Sequence, residues 1–177
     1  MSSRFFSFIA GRTGAWQIES IDIVKGATLT PAARLEIVNE NVVPPPTNAS
    51  WCLRGVTSYE RYVVGAERQA LERVQPPLGR KEATRAALIP VKKSAAWWRL
   101  SHDQRREVFE ERSAHIATGL KYLPAVARRL HHSYDLGEPF DFLTWFEYAE
   151  RDAAALEQLV KLLRATPEWD YVEREER

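Results

Sequence analysis

The sequence predicts an α+β fold made of two ferredoxin-like halves that close into a barrel, the N-terminal half being a reduced copy of the other. Three observations carry this expectation. Short strand-like runs alternate with few helical ones along the first half. The second half reads β-α-β-β-α-β, the split βαβ order. The aromatic run from Phe140 to Ala149 is apolar on both faces, so both faces of its sheet must be covered, one by helices and one by a ligand or a barrel interior. At 177 residues, 45% apolar and 28% charged, the chain suits one compact domain or two small halves sharing a core. The halves divide as 1–82 and 83–177.

In the first half, Phe5 to Ala10 and Ala15 to Val24 read as strands separated by the turn Gly11-Arg-Thr-Gly14. In the second of these Trp16, Ile18, Ile21 and Ile23 alternate imperfectly, which suggests a bulge. Leu35-Glu-Ile-Val is a further strand candidate, Pro44-Pro-Pro-Thr-Asn-Ala is a loop, and Trp51 to Ser58 is a strand. A helix around Glu67 to Val74 ends at Gln75-Pro-Pro-Leu-Gly.

In the second half, Ala83 to Val91 reads as a strand. Ser101 caps a helix that Asp103 supports at its first turn and that Val108, Phe109 and Arg112 to Ile116 carry onward, so that His115 falls near its end. Strands follow at Ala125 to Tyr134 and Phe140 to Ala149, joined by Asp135-Leu-Gly-Glu-Pro. On the second of these Phe140, Phe142, Thr144, Phe146 and Tyr148 share one face, and Leu143 and Trp145 the other. A helix from Ala153 to Arg164 and a strand from Trp169 to Glu173 close the pattern.

The charge balance excludes a simple electrostatic role. Lys plus Arg number 25 against 24 Asp plus Glu, so no global field draws the chain to nucleic acid or to an acidic membrane. No apolar run approaches membrane-spanning length, and the N-terminal run, cut by Ser7, is too short for a signal-peptide core. The expectation is a cytoplasmic protein. The lone Cys52 excludes an internal disulfide framework and any multi-cysteine metal site. No CxxCH motif is present, so any haem would be held non-covalently.

Four histidines are the first candidates for chemistry. His102 opens a charged helix and reads as solvent-facing. His131 and His132 are consecutive on a strand, point to opposite faces, and cannot chelate one ion together. Taken alone, His115 is more often structural than a ligand. The pair Arg128-Arg129 is also split by the strand. Arg128 shares a face with Leu130 and His132, and a guanidinium on an apolar face needs a carboxylate or an anionic ligand.

The ordered motifs then meet a known family. Trp51-Cys-Leu-Arg-Gly-Val-Thr-Ser, Trp97-Trp98-Arg-Leu-Ser and His115-Ile-Ala-Thr-Gly-Leu-Lys-Tyr-Leu-Pro resemble the chlorite dismutases. So do Arg128-Arg-Leu-His-His, the run from Asp135 to Tyr148, and Glu168-Trp-Asp-Tyr-Val-Glu-Arg-Glu. The short first half resembles that family's small, dimeric branch. The resemblance implies a dimeric α+β barrel, a homodimer, haem b as cofactor, and conversion of the small anion chlorite to chloride and dioxygen. It implies His115 as the proximal iron ligand and Glu168 as the acidic partner of its other ring nitrogen. Arg128 matches the distal arginine. Lys92 and Trp97 match residues at the haem propionates and edge, and Leu130, Thr144 and Phe146 match the distal wall. Two alternatives stand beside this reading. One is a related haem peroxidase or coprohaem decarboxylase, against which Arg128 argues. The other is a non-enzymatic ferredoxin-like binding module.

Overall fold

A computed structural model describes residues 3–57 and 61–177. The strands are β1 (Phe5–Gly11), β2 (Trp16–Gln17), β3 (Ile23–Lys25), β4 (Arg34–Val38) and β5 (Trp51–Val56), then β6 (Arg85–Lys93), β7 (Val126–His132), β8 (Phe142–Tyr148) and β9 (Val172–Glu176). The helices are α1 (Gly65–Val74), α2 (Ala95–Arg99), α3 (His102–Arg106), α4 (His115–Tyr122) and α5 (Ala153–Arg164). All the strands join one antiparallel sheet in the order β2-β4-β1-β5-β7-β8-β6-β9-β3. The last four strands of the chain pair as β7-β8-β6-β9, the ferredoxin-like order expected of the second half.

The sheet's two ends are β2 and β3, which only residues 18–22 separate along the chain. The sheet therefore curls back on itself. One cluster gathers Phe6 and Phe8 of β1, Leu35 of β4, Leu53 of β5 and Leu143 and Trp145 of β8, with Trp16 of β2 and Leu88 of β6 against it. Residues from several strands of one sheet share this cluster, as expected where the sheet curls round its own core.

The opposite face of the C-terminal strands is covered by helix. On α5 the buried residues Leu156, Leu159, Val160 and Leu163 recur at helical spacing. They meet Ala87, Ile89, Val91, Phe146 and Tyr148 of the sheet. At about 1.5–3 kcal/mol for each large aliphatic side chain buried, this stripe is the main reason α5 docks. Lys161 and Arg164 in its last turn complement the helix dipole.

Several elements depart from the sequence reading. The single strand expected over Ala15 to Val24 is two strands at opposite ends of the sheet. The Ile18 N–H bonds Ala33 O, and Asp22 exchanges both backbone bonds with Arg177, so the segment between serves as the barrel's closing link. Phe140 precedes β8 and packs in the barrel cluster, not on the Phe142 face. The last strand begins at Val172, because Pro167 opens a 3₁₀ turn over Pro167–Tyr171. The helix expected to run on into His115 is interrupted. After α3 comes a π-helical turn over Glu107–Glu111, then Ala114 in the left-handed region at φ 49°, and His115 starts a new helix. Ser58, the expected end of β5, lies outside the described residues.

Candidate functional site

On the helix-covered face, the sheet and helices α1, α4 and α5 leave a cavity whose walls are mainly apolar. Strand alternation decides what reaches it from below. Arg128, Leu130 and His132 of β7 line it, as do Phe142, Thr144 and Phe146 of β8 and Ile89, Val91 and Lys93 of β6. From α4 come His115, Ile116 and Gly119; Trp97 of α2 and Phe109 of the π turn complete one end.

His115 is held from three sides. Its Nδ1 lies 2.6 Å from Glu168 Oε2, and the Phe109 ring stacks on it at 4.3 Å and 22°. Its helix start is capped by Glu110, whose carboxylate accepts the Ile116 N–H at 2.5 Å and the Ala117 N–H at 3.1 Å. The hydrogen bond to Glu168 leaves Nε2 as the ring nitrogen available to a metal.

Glu168 is 4% exposed. Its other oxygen, Oε1, accepts a 2.7 Å bond from Lys93 Nζ, and its backbone N–H donates to Ser113 Oγ at 3.0 Å. Burial alone would push this carboxyl up. The adjacent His115 and Lys93 charges and their hydrogen bonds outweigh it and hold Glu168 down at about 2. Lys93 in turn sits 4.6 Å from the Trp97 ring centroid and 5.3 Å from that of Trp169. The Trp169 indole N–H donates to Glu175 Oε2 at 2.7 Å, and Arg164 anchors Glu175 Oε1 with bonds of 2.9 and 2.7 Å.

The structure brings His115, Glu168, Arg128, Trp97, Leu130, Thr144 and Phe146 to this one cavity. Lys92 is not among them. It points away and pairs with Glu173 at 3.4 Å, because the β6 face that carries Ile89 and Val91 continues to Lys93. The lysine beside Glu168 and Trp97 is therefore Lys93. Sequence reasoning also missed Phe109, Trp169 and Arg61 as lining residues. Only Lys93 had a readable signal, its even spacing from Ile89 and Val91.

The donor set suits a flat, mostly apolar group carrying a metal. An imidazole nitrogen is available on a helix start, and apolar side chains from sheet and helix form the walls. The Trp97 Nε1–H at the cavity edge is buried with no partner, a donor awaiting an acceptor. Among the described residues no cluster of three or more His, Cys, Asp or Glu side chains could hold a bare ion. No described helix is long and apolar enough to cross a membrane.

Comparison with known proteins bears on the same region. The family model described as chlorite dismutase matches residues 38–177. A curated chlorite dismutase of Ideonella dechloratans is 40% identical over 86 residues, which are 49% of this chain and 28% of that protein, so the match spans less than a third of the relative. The crystal structure of the dimeric chlorite dismutase from Nitrobacter winogradskyi is 56% identical, with 97% of this chain and 96% of that one covered at a TM-score of 0.90. A chlorite dismutase from Candidatus Nitrospira defluvii, solved with imidazole, is 28% identical over 72% of this chain and 51% of its own, with a TM-score of 0.60. With a family match over most of its length, and a solved relative of the same fold and extent, this chain belongs to the chlorite dismutase family.

Proposed function

We propose that the chain is a haem b enzyme that converts chlorite to chloride and dioxygen, working as a cytoplasmic homodimer. The observation that carries this is His115 joined to Glu168 on a cavity that Arg128 also lines. Bound haem supplies the redox chemistry. His115 holds its iron through Nε2, and Glu168 accepts the Nδ1–H, fixing the tautomer and raising the basicity of the ligand. Lys93 balances the buried charge of Glu168, while Trp97 offers its indole N–H at the cofactor's edge.

Arg128 does the work on the substrate side. Its guanidinium would attract chlorite and hold chlorine oxyanions in the pocket against escape to solvent. Leu130, Thr144 and Phe146 keep water scarce around it, so its charge is less screened than at a surface. Haem-loaded wild type is expected to release oxygen from chlorite at an oxygen electrode. Arg128→Ala should keep its haem content, leak hypochlorite that added methionine traps, and inactivate sooner. Wild type that makes no oxygen but decarboxylates coprohaem would overturn the assignment. A variant equal to wild type in yield and leakage would remove Arg128 from this role.

A further inference from the structure

Four residues along β7 from Arg128, His132 faces the same cavity and takes no part in the chemistry described so far. It is 9% exposed, and its Nδ1 is buried with no hydrogen-bond partner. Among the described residues no side chain or carbonyl bonds its Nε2 either. An enclosed imidazole ordinarily has its ring nitrogens satisfied, and an orphan costs about 1–3 kcal/mol. Its neighbour across the strand is apolar, the Phe142 ring standing edge-on at 5.6 Å.

The cavity's carboxylates are already engaged. Glu168 is bound by His115 and Lys93, and Glu175 by Arg164 and Trp169. The charged groups near His132 are Asp135 and, on the cavity wall, Arg61. Its ion pair with Asp135 is long, 3.7 Å, and that carboxylate is 77% exposed, so the contact is weak and leaves other guanidinium donors for a ligand. Burial, reinforced by Arg61, keeps His132 neutral, its pKa pushed down to about 4. At neutral pH it therefore offers one N–H beside a cation.

We propose that His132 and Arg61 form a second anion subsite in this cavity, which binds an anionic oxygen through the guanidinium charge and the imidazole N–H. Along β7 the backbone positions of His132 and Arg128 are about 13 Å apart, so the two occupy different parts of the same cavity wall. Two sources carry such an oxygen: a carboxylate on the rim of a porphyrin, or a free oxyanion on its way to Arg128. The proposal rests on the haem-enzyme reading only for the first of these.

The test titrates haem-free protein with haem b and with haem dimethyl ester, following the Soret band in wild type, His132→Phe, His132→Gln and Arg61→Gln. If the oxygen is a porphyrin carboxylate, His132→Phe and Arg61→Gln weaken haem b about ten- to hundredfold, the worth of one hydrogen bond to a charged group. They leave the ester unchanged, and His132→Gln restores part of the loss. If the oxygen belongs to a free oxyanion, haem b affinity is unchanged in every variant. Sodium chlorate then shifts the His132 imidazole NMR signals in haem-free wild type but not in Arg61→Gln. Unchanged haem b affinity together with no chlorate shift overturns the subsite. Should His132→Phe lose haem b and ester alike, the fault is in folding, and the partly exposed Arg61→Gln decides on the same outcomes. Should wild type bind no porphyrin, the haem reading fails, and the chlorate shift still decides the subsite.

Discussion

Glu168 shows how much a single buried carboxylate can organise. It is enclosed, yet stays ionised because His115 and Lys93 each take one oxygen. Glu168→Gln should keep the shape and lose the charge, so the loaded variant is expected to retain haem while its reduction potential rises. An unchanged potential by spectroelectrochemistry would count against the carboxylate's role. On the barrel side, His131 is 1% exposed between the edges of Phe6 and Phe8. Burial pushes it down to about 4, the Leu143 carbonyl only partly opposing this. His132 is pushed down equally far. The folded state thus binds fewer protons than the unfolded one between about pH 4 and 6.5, and stability is full above 6.5 and lost as pH falls through that window. Each histidine contributes about 3 kcal/mol at most. Urea denaturation from pH 7 to 4.5 should show this fall, and His131→Phe should flatten it by about half. The contrast between Lys92 and Lys93 shows where residue-level reading stops. Both stand four or five positions before Trp97 in the sequence, and in a strand a slip of one position exchanges the two faces, so choosing Lys93 over Lys92 turned on its even spacing from Ile89 and Val91, which line the cavity.

At the scale of elements, legibility followed local signals. The stripe on α5 and the cap at Ser101 can be read from the sequence, and α5 runs over the residues expected, Ala153–Arg164. The break before α4 cannot. Arg112, Ser113 and Ala114 include no glycine or proline, and tertiary ties impose the left-handed Ala114: Ser113 Oγ accepts the Glu168 N–H, while Glu110 reaches forward to cap α4. That break matters because it places His115 on the first turn of a helix, oriented by the Phe109 ring from the π turn, a distortion common at functional sites. Glu110→Ala should cost about 0.5–2 kcal/mol of stability through the lost cap, and speed haem loss because the ligand's helix start frays. Thermal denaturation and the rate of haem transfer to an excess of apomyoglobin measure the two effects. A stable variant with unchanged haem loss would assign Glu110 no part in the site. Where β5 meets β7 the constraint is steric, since a Cβ at Gly55 would lie 2.6 Å from His131 Cβ. Gly55→Ala should therefore destabilise by about 1–3 kcal/mol as an overpacking change.

For the molecule as a whole, the consequential feature is closure of the sheet. The order of the C-terminal strands follows from their β-α-β-β-α-β sequence, but the closure does not, because it depends on residues 18–22 leaving one sheet end and joining the other. Alternation along Ala15 to Val24 is consistent with one long strand, and only the long-range bonds to Ala33 and Arg177 divide it. Closure bears on assembly. The end strands β2 and β3 have two and three residues, so little free edge remains for strand addition from another chain. The aromatic strand β8 is central, with Leu143 and Trp145 packed in the barrel and Phe142, Thr144 and Phe146 lining the cavity on its other face, so both of its faces are engaged within the subunit. The proposed homodimer would then form through side chains on the outer surface, in the manner of ordinary isologous interfaces. The solved relative from Nitrobacter winogradskyi, 56% identical over nearly the whole chain, is itself dimeric. Light scattering is expected to give twice the 20.3 kDa of the chain. Because association then adds to stability by mass action, the midpoint of thermal unfolding should rise with protein concentration. A mass of one chain with a concentration-independent midpoint would reject the dimer, and a mass of five chains would place the protein with a different assembly despite its short first half.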